Sequence, residues 1–402
     1  MRLGLPFALD PSVVFVNHGS FGACPTPVLE AQAAWRTRLE AQPVRFFDEL
    51  EARLDDARAV VGAFLHADPD GLAFLPNATT GVSTVLRSLR FAPGDELLTT
   101  DHEYNATLNA LSEVALRDGA RVVLARIPFP LRSSDAAVGA ILERVTSRTR
   151  LALISHVTSP TALVLPIERI VARLSERGVD TLVDGAHAPG MVEVDVDALF
   201  PAFWTGNGHK WLCGPKGSAV LWVRADRREG IEPLVISHGW NDARAARGER
   251  PAFRVRFDWT GTSDPTPYLA LADAIGIVGG LEPGGWPARM AANRALALAG
   301  RDTLAAALGV EPPAPDDMIG SMAALPLPGV VTDGDALAIH RALVDDGFEV
   351  PVHGWPVAAA RAAGAGPAAV VVRLSAQRYN ELADYEALGI ALTRRLGGSA
   401  AR

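Results

Sequence analysis

Between about residues 55 and 225 the chain alternates short apolar runs with segments of helical periodicity. LAFLP (72–76), DELLTT (95–100), RVVLARI (121–127), RLALISHV (150–157), DTLVD (180–184) and SAVLWVR (218–224) read as strands. AAVGAILERVTS (136–147) and IERIVARLSERG (167–178) read as helices between them. Such alternation predicts a mainly parallel sheet with helices on both faces, an α/β architecture. After about residue 275 the texture changes. GGLEPGGWP (279–287) is a Gly/Pro break, and a helical, Ala-rich stretch follows, from ARMAANRALALAG (288–300) to TLAAALG (303–309). A helix at 335–347, a strand VVVRLS (370–375) and a last helix complete a smaller α+β lobe, with 356–369 expected as an irregular connection. The expected division is a large domain over 16–274 and a small one built from 1–15 and 275–402. No internal repeat interrupts this plan.

Composition narrows the classes. A chain of 402 residues is long for one core, which agrees with two lobes. With 49% hydrophobic and 21% charged residues it reads as an ordinary globular protein. A net charge of −8 argues against nucleic-acid and anionic-membrane partners. The two cysteines, Cys24 and Cys213, exclude a disulfide framework and suit a reducing cytoplasm. There is no apolar run long enough to span a bilayer and no signal-peptide pattern at the N-terminus. No metal-ligand spacing stands out. Of the 38 Lys and Arg residues only two are lysines, Lys210 and Lys216. Arginine keeps its proton, whereas lysine can be brought to a free amine by burial or a neighbouring cation. A lysine in so arginine-rich a chain stands either where a nucleophilic amine is needed or as an ordinary surface cation, and its neighbours decide between the two.

The residues that could surround such an amine stand where strands end. Asn77, Tyr104, Ser159, Asp184 and Lys210 each follow an apolar run, and ligands of open parallel sheets bind at the carboxyl ends of strands. The turn P-N-A-T-T-G offers Ala78, Thr79 and Thr80 as a phosphate cradle at a helix start, against the plainer reading of simple N-capping. Asp184 closes the strand DTLVD in D-G-A-H-A-P-G, and His187 lies three residues on. In T-G-N-G-H-K, Asn207 and His209 precede Lys210 as donors for a phosphate, and an imidazolium at His209 would favour a neutral lysine. Lys216, in G-P-K-G, reads as a loop lysine without a catalytic part.

These stretches also carry a likeness. F-V-N-H-G-S-F-G (15–22), P-V-R-F-F (43–47), P-N-A-T-T-G (76–81), H-E-Y-N-A (102–106) and S-H-V-T-S-P-T (155–161) form its first half. D-G-A-H-A-P-G (184–190), T-G-N-G-H-K-W-L-C-G-P-K-G (205–217), W-T-G-T-S-D-P-T-P-Y (259–268) and V-R-L-S-A-Q-R-Y-N (372–380) form the second. Over about residues 13–395 the chain resembles fold-type I pyridoxal 5′-phosphate (PLP) enzymes of the class V aminotransferase superfamily, within it the isopenicillin N epimerase-like branch. The resemblance implies that Lys210 forms the Schiff base with PLP, that Asp184 pairs with the pyridine nitrogen and that Tyr104 stacks on the ring. It implies phosphate contacts from Thr79, Thr80, Asn207 and His209, and from Thr262 reaching the neighbouring subunit's site in a homodimer. Ala78, Ser159 and His187 join the cofactor set. Arg373 falls where the family holds the substrate α-carboxylate, which suits its bidentate fork. Asn17, His18 and Arg45 fall in segments that touch substrate.

The implied activity is chemistry at Cα and Cβ of a small amino-acid substrate, as an epimerase or a C–S β-lyase, with secondary metabolism as its setting. Transamination and oxidative decarboxylation stand as alternatives on the same scaffold. No cysteine follows Cys213, so a desulfurase that loads sulfur on a small-lobe thiol is disfavoured. An inactive scaffold would have lost Lys210 or Asp184, and both are present. N-A-T-T-G does not match the G-x-G-x-x-G of a nucleotide-binding dehydrogenase.

Overall fold

The computed structural model describes residues 6–365 and 369–397. Residues 1–5 and 398–402 of the expected small domain, and 366–368 of the expected irregular connection, lie outside the described residues.

Seven strands form the main sheet: β2 (Leu72–Leu75), β3 (Glu96–Thr100), β4 (Arg121–Ala125), β5 (Thr149–Ser155), β6 (Asp180–Asp184), β7 (Phe203–Asn207) and β8 (Ala219–Val223). Their order is β2-β8-β7-β6-β5-β3-β4, and only β8 runs against its neighbours. The expected mainly parallel α/β sheet is therefore observed. Helices cover both faces, so the strands are buried on both sides and read as near-continuous apolar runs. β7 is the exception. Its sequence FWTGN carries Thr205, Gly206 and Asn207, poor strand formers, and the pattern gave no strand there. Pairing with β6 and β8 overrides that local preference.

The N-terminal β1 (Val14–Phe15) pairs in parallel with β10 (Phe348–Glu349). A second sheet joins β11 (Val352–Trp355), β12 (Ala369–Ser375) and β9 (Met322–Pro326) in antiparallel fashion. The residues after β1 thus run from this C-terminal region across to the main sheet.

One expectation is met and one changes. The Ala-rich helical stretch expected over 288–309 is the helix Gly285–Leu308. Gly300 is tolerated inside it because the ring of Tyr385 packs there; a Cβ would stand 2.8 Å from that ring. Arg301 and Asp302 do not break it, since Arg301 is buried and bonded to Asp302 and Asp316. Within 356–369, expected as irregular, the short helix Ala358–Ala362 forms.

Candidate active site

The carboxyl ends of β2, β3, β5, β6 and β7 converge on a cavity of about 190 Å³, whose walls include Thr79, Tyr104, Asp184, His187, Asn207 and Lys210. Asp184 is the last residue of β6 and is 4% exposed. Its Oδ1 accepts from the amide of Ala186 at 3.0 Å, and among the described residues no donor is seen on Oδ2. Burial raises its carboxyl above the usual range, while the charge of Lys210 pulls the other way.

Lys210 follows β7 on a turn closed by Cys213 N to Lys210 O (3.0 Å) and Gly214 N to Gly208 O (2.9 Å). Its Nζ lies 3.2 Å from Nε2 of His187. Burial, with the cation of Arg373 adding to it and Asp184 opposing, brings the lysine down to about 7. Near neutrality a large share of the amine is therefore free. His187, also buried, is held neutral, and its Nδ1 has no partner among the described residues. Lys216 is engaged elsewhere: its Nζ donates to Gly22 O at 2.6 Å.

At the head of the helix Ala78–Ser88, Asn77 caps by accepting from Thr80 N at 2.8 Å. The Ala78 amide donates to Asn207 Oδ1 at 2.8 Å, which orients Asn207 and leaves its Nδ2 as a donor toward the cavity. Thr80 Oγ1 also donates to Asn77, and Thr80 lines a different cavity, with Thr260 and Gly261. His209 Nδ1 contacts Ser218 O at 3.2 Å. Burial first and then Lys210 bring His209 down to about 4, so the imidazolium that was expected to depress Lys210 is absent near neutral pH. Arg373 is the cation that does so. With Nδ1–H on Ser218, His209 Nε2 can donate only once the ring takes a second proton.

Arg373, in the middle of β12, is 3% exposed. Nη1 donates to the carbonyl and the hydroxyl of Ser159, and Nη2 donates to Ser20 Oγ at 2.7 Å. Nε is buried without a partner among the described residues. One edge of the guanidinium, Nε–H with the second Nη2–H, is left for a bidentate ligand. Arg373 faces a neighbouring cavity of about 370 Å³ that shares Ser20, Tyr104 and Ser159 with the first. The V-H-G-W stretch forms one wall of it through His353 and Gly354.

Other expected residues stand apart. His18 does not line either cavity. It is fully buried behind Lys210, with Nε2 donating to Lys210 O (3.0 Å) and Nδ1 accepting from Tyr379 Oη (2.7 Å). Burial holds it neutral, down to about 3. Asn17 turns the chain by accepting from Ser20 N at 3.1 Å and is not in the cavity walls. Arg45 is exposed and paired with Glu49 at 2.8 Å. Thr262 is exposed at the surface of the single chain.

Two contributors escaped the sequence reading. Ser20 holds Arg373, and Glu103 is wholly buried beneath the cavity floor, accepting from Ser155 N (3.1 Å), Thr100 Oγ1 (3.0 Å) and Ser155 Oγ. The available signal for Glu103 was an acid directly before Tyr104 at the end of a strand.

Residues 22–388 match the family model described as aminotransferase class-V. Isopenicillin N epimerase from Amycolatopsis lactamdurans is 36% identical, over 96% of this chain and 96% of its own. A probable chloroplastic L-cysteine desulfhydrase from Arabidopsis thaliana is 31% identical, over 94% of this chain and 82% of its own. Among solved structures, the cysteine desulfurase CsdA from Escherichia coli matches with a TM-score of 0.77 at 23% identity, covering 98% of this chain and 97% of its own. A variant of C-DES, with glycine covalently linked to its PLP cofactor, matches with a TM-score of 0.78 at 22% identity, covering 95% and 97%.

Proposed function

The chain belongs to the class V aminotransferase family, with PLP as its cofactor, and on that premise we propose an isomerase or lyase acting at Cα and Cβ of an α-amino acid. The unpaired groups of the cavity fit the cofactor: Asp184 Oδ2, His187 Nδ1, Asn207 Nδ2 and a partly neutral Lys210 amine. Lys210 would hold it covalently, Asp184 would hold the ring nitrogen's proton, and Tyr104 would cover the ring. Thr79, Asn207 and His209 would hold the phosphate, whose charge favours the protonated His209 that donation requires. When bound, PLP supplies an electron sink for charge developing at Cα.

The chain's own residues do the rest. Arg373 receives the substrate carboxylate on its free edge, and Lys210, displaced as a free amine, takes the Cα proton. The observation that carries this reading is one buried lysine set between a buried acid and an arginine with an unused donor edge. Return of the proton to the other face gives epimerisation, and loss of a β-sulfur gives C–S cleavage. Cys24 and Cys213 are both buried, which speaks against a thiol that collects sulfur. The proposal includes the two-domain division at 15/16 and 274/275, a cytoplasmic setting, secondary metabolism, and a homodimer in which Thr262 reaches the neighbour's phosphate. Exposed Leu234, Val235, Ile236 and Trp240, with Leu234 and Val235 lining the same cavity as Thr260 and Gly261, suit such an interface.

Borohydride should fix the cofactor to Lys210, and a colourless protein with no adduct would refute the reading. Incubation with candidate amino acids in deuterated water distinguishes the outcomes: deuterium at Cα in both enantiomers means epimerase, and pyruvate with a released thiol means lyase.

A further inference from the structure

Glu103 is a buried acid without a counterion. It is 0% exposed, and among the described residues no cation pairs with it. All three of its hydrogen-bond contacts are donors to a carboxylate: Ser155 N at 3.1 Å, Thr100 Oγ1 at 3.0 Å and the Ser155 hydroxyl. An unpaired carboxylate in a protein interior is costly, and a fold that surrounds one with donors has kept it for a reason. The neighbourhood suggests which. Ser155 ends β5 and pairs in register with Asp184 on β6, and its side chain lines the cofactor cavity. Glu103 and Asp184 are close enough to repel each other. Two acids are thus stacked at the floor of the site, one in the cavity wall and one beneath it, with Lys210 the cation that acts on Asp184.

We propose that Glu103 is a positioning residue, anchored through Ser155, that supplies a second layer of negative charge behind Asp184 and so helps keep the cofactor's ring nitrogen protonated. The missing counterion of Glu103 is, on this account, the ring itself. Burial and Asp184 push Glu103 up to about 7, and a cationic ring held by Asp184 would oppose that shift and favour the carboxylate. Of the chain's own groups, those whose charge acts with Asp184 are Lys210 and Glu103, since the neighbouring His187 is neutral. This rests on the reading of Asp184 given above.

The test uses holoenzyme loaded with PLP carrying ¹⁵N in the ring, whose chemical shift reports protonation directly. In wild type the nitrogen should be protonated across the neutral range. Glu103→Gln keeps size and most hydrogen bonds but removes the charge. It should lower the ring nitrogen's pKa by at least about one unit, a tenfold weaker hold on the proton, and weaken cofactor affinity of the apoprotein. Glu103→Asp restores charge and should restore protonation even where the shorter chain lowers Tm. A merely structural Glu103 would change Tm and leave the nitrogen's titration unmoved, which would overturn the proposal. Should Glu103→Gln fail to fold, Ser155→Ala removes one donor to the carboxylate and should shift the nitrogen in the same direction; no shift there also overturns it. An unprotonated nitrogen in wild type would instead refute the reading of Asp184.

Discussion

Arg373→Met removes a cation of known surroundings while keeping much of the side-chain volume. Burial lowers Arg373 from its usual value to about 10, and among the described residues no carboxylate pairs with it. The site therefore tolerates a poorly compensated charge, which makes sense if a substrate carboxylate is its partner. The unused edge offers two charge-assisted hydrogen bonds, worth about 1.5–3 kcal/mol each. At 1.36 kcal/mol per factor of ten, their loss predicts a fall of about 10²–10⁴ in kcat/KM. The loss should fall mainly on KM, and PLP affinity should stay within a few-fold, since Arg373 lines the outer cavity and not the cofactor cavity. Because Arg373 also holds Lys210 down, the amine should titrate above its present value of about 7 in the variant. Steady-state kinetics with the amino-acid substrate, PLP titration of the apoprotein and the pH dependence of cofactor attachment check these three points. A kcat/KM within about threefold of wild type, or a cofactor affinity that falls as far as the amino-acid affinity, would refute the reasoning.

Covalent attachment of PLP to the apoprotein should accelerate as pH rises through about 7, because the free amine is the nucleophile. The unfolded lysine keeps its proton to near 10.5, so between about 7 and 10.5 this group favours the folded apoprotein increasingly as pH rises, which denaturant midpoints across that window can follow. Gly22→Ala should strip the cofactor and lower Tm together, since its Cβ would stand 2.4 Å from His209 O and 2.6 Å from Lys210 O, backbone atoms that cannot step aside; full PLP occupancy in that variant would show that the loop does not brace Lys210. Thr262→Ala, at an exposed position, should weaken PLP binding with little change in Tm if the side chain serves a neighbouring subunit, and affinity unchanged in a confirmed dimer would remove it from the site.

The sequence reading was sound where one local cause suffices. Strands buried on both faces announce themselves as apolar runs; Asp184 was visible as the acid closing one of them, and Lys210 as one of two lysines in the chain. It failed where packing outweighs local preference, as at β7 and the helix Ala358–Ala362. N-H-G-S-F-G was conspicuous, but its position could be read only as contact with a ligand. In the fold His18 and Gly22 press on the backbone of Lys210, and Ser20 holds Arg373.

What the sequence determined by itself was the α/β order of elements and the identity of the amine, because periodicity and the scarcity of lysine are properties of the chain alone. The state of that amine belongs to the tertiary structure. A lysine's proton affinity depends on how deeply it is buried and on which charges face it, and Arg373, 163 residues away along the chain from Lys210, acts on it only once β12 has been brought against the main sheet's edge of the site. The same holds for His209, whose charge could not be read from its place beside Lys210, because burial and not sequence neighbourhood decides it.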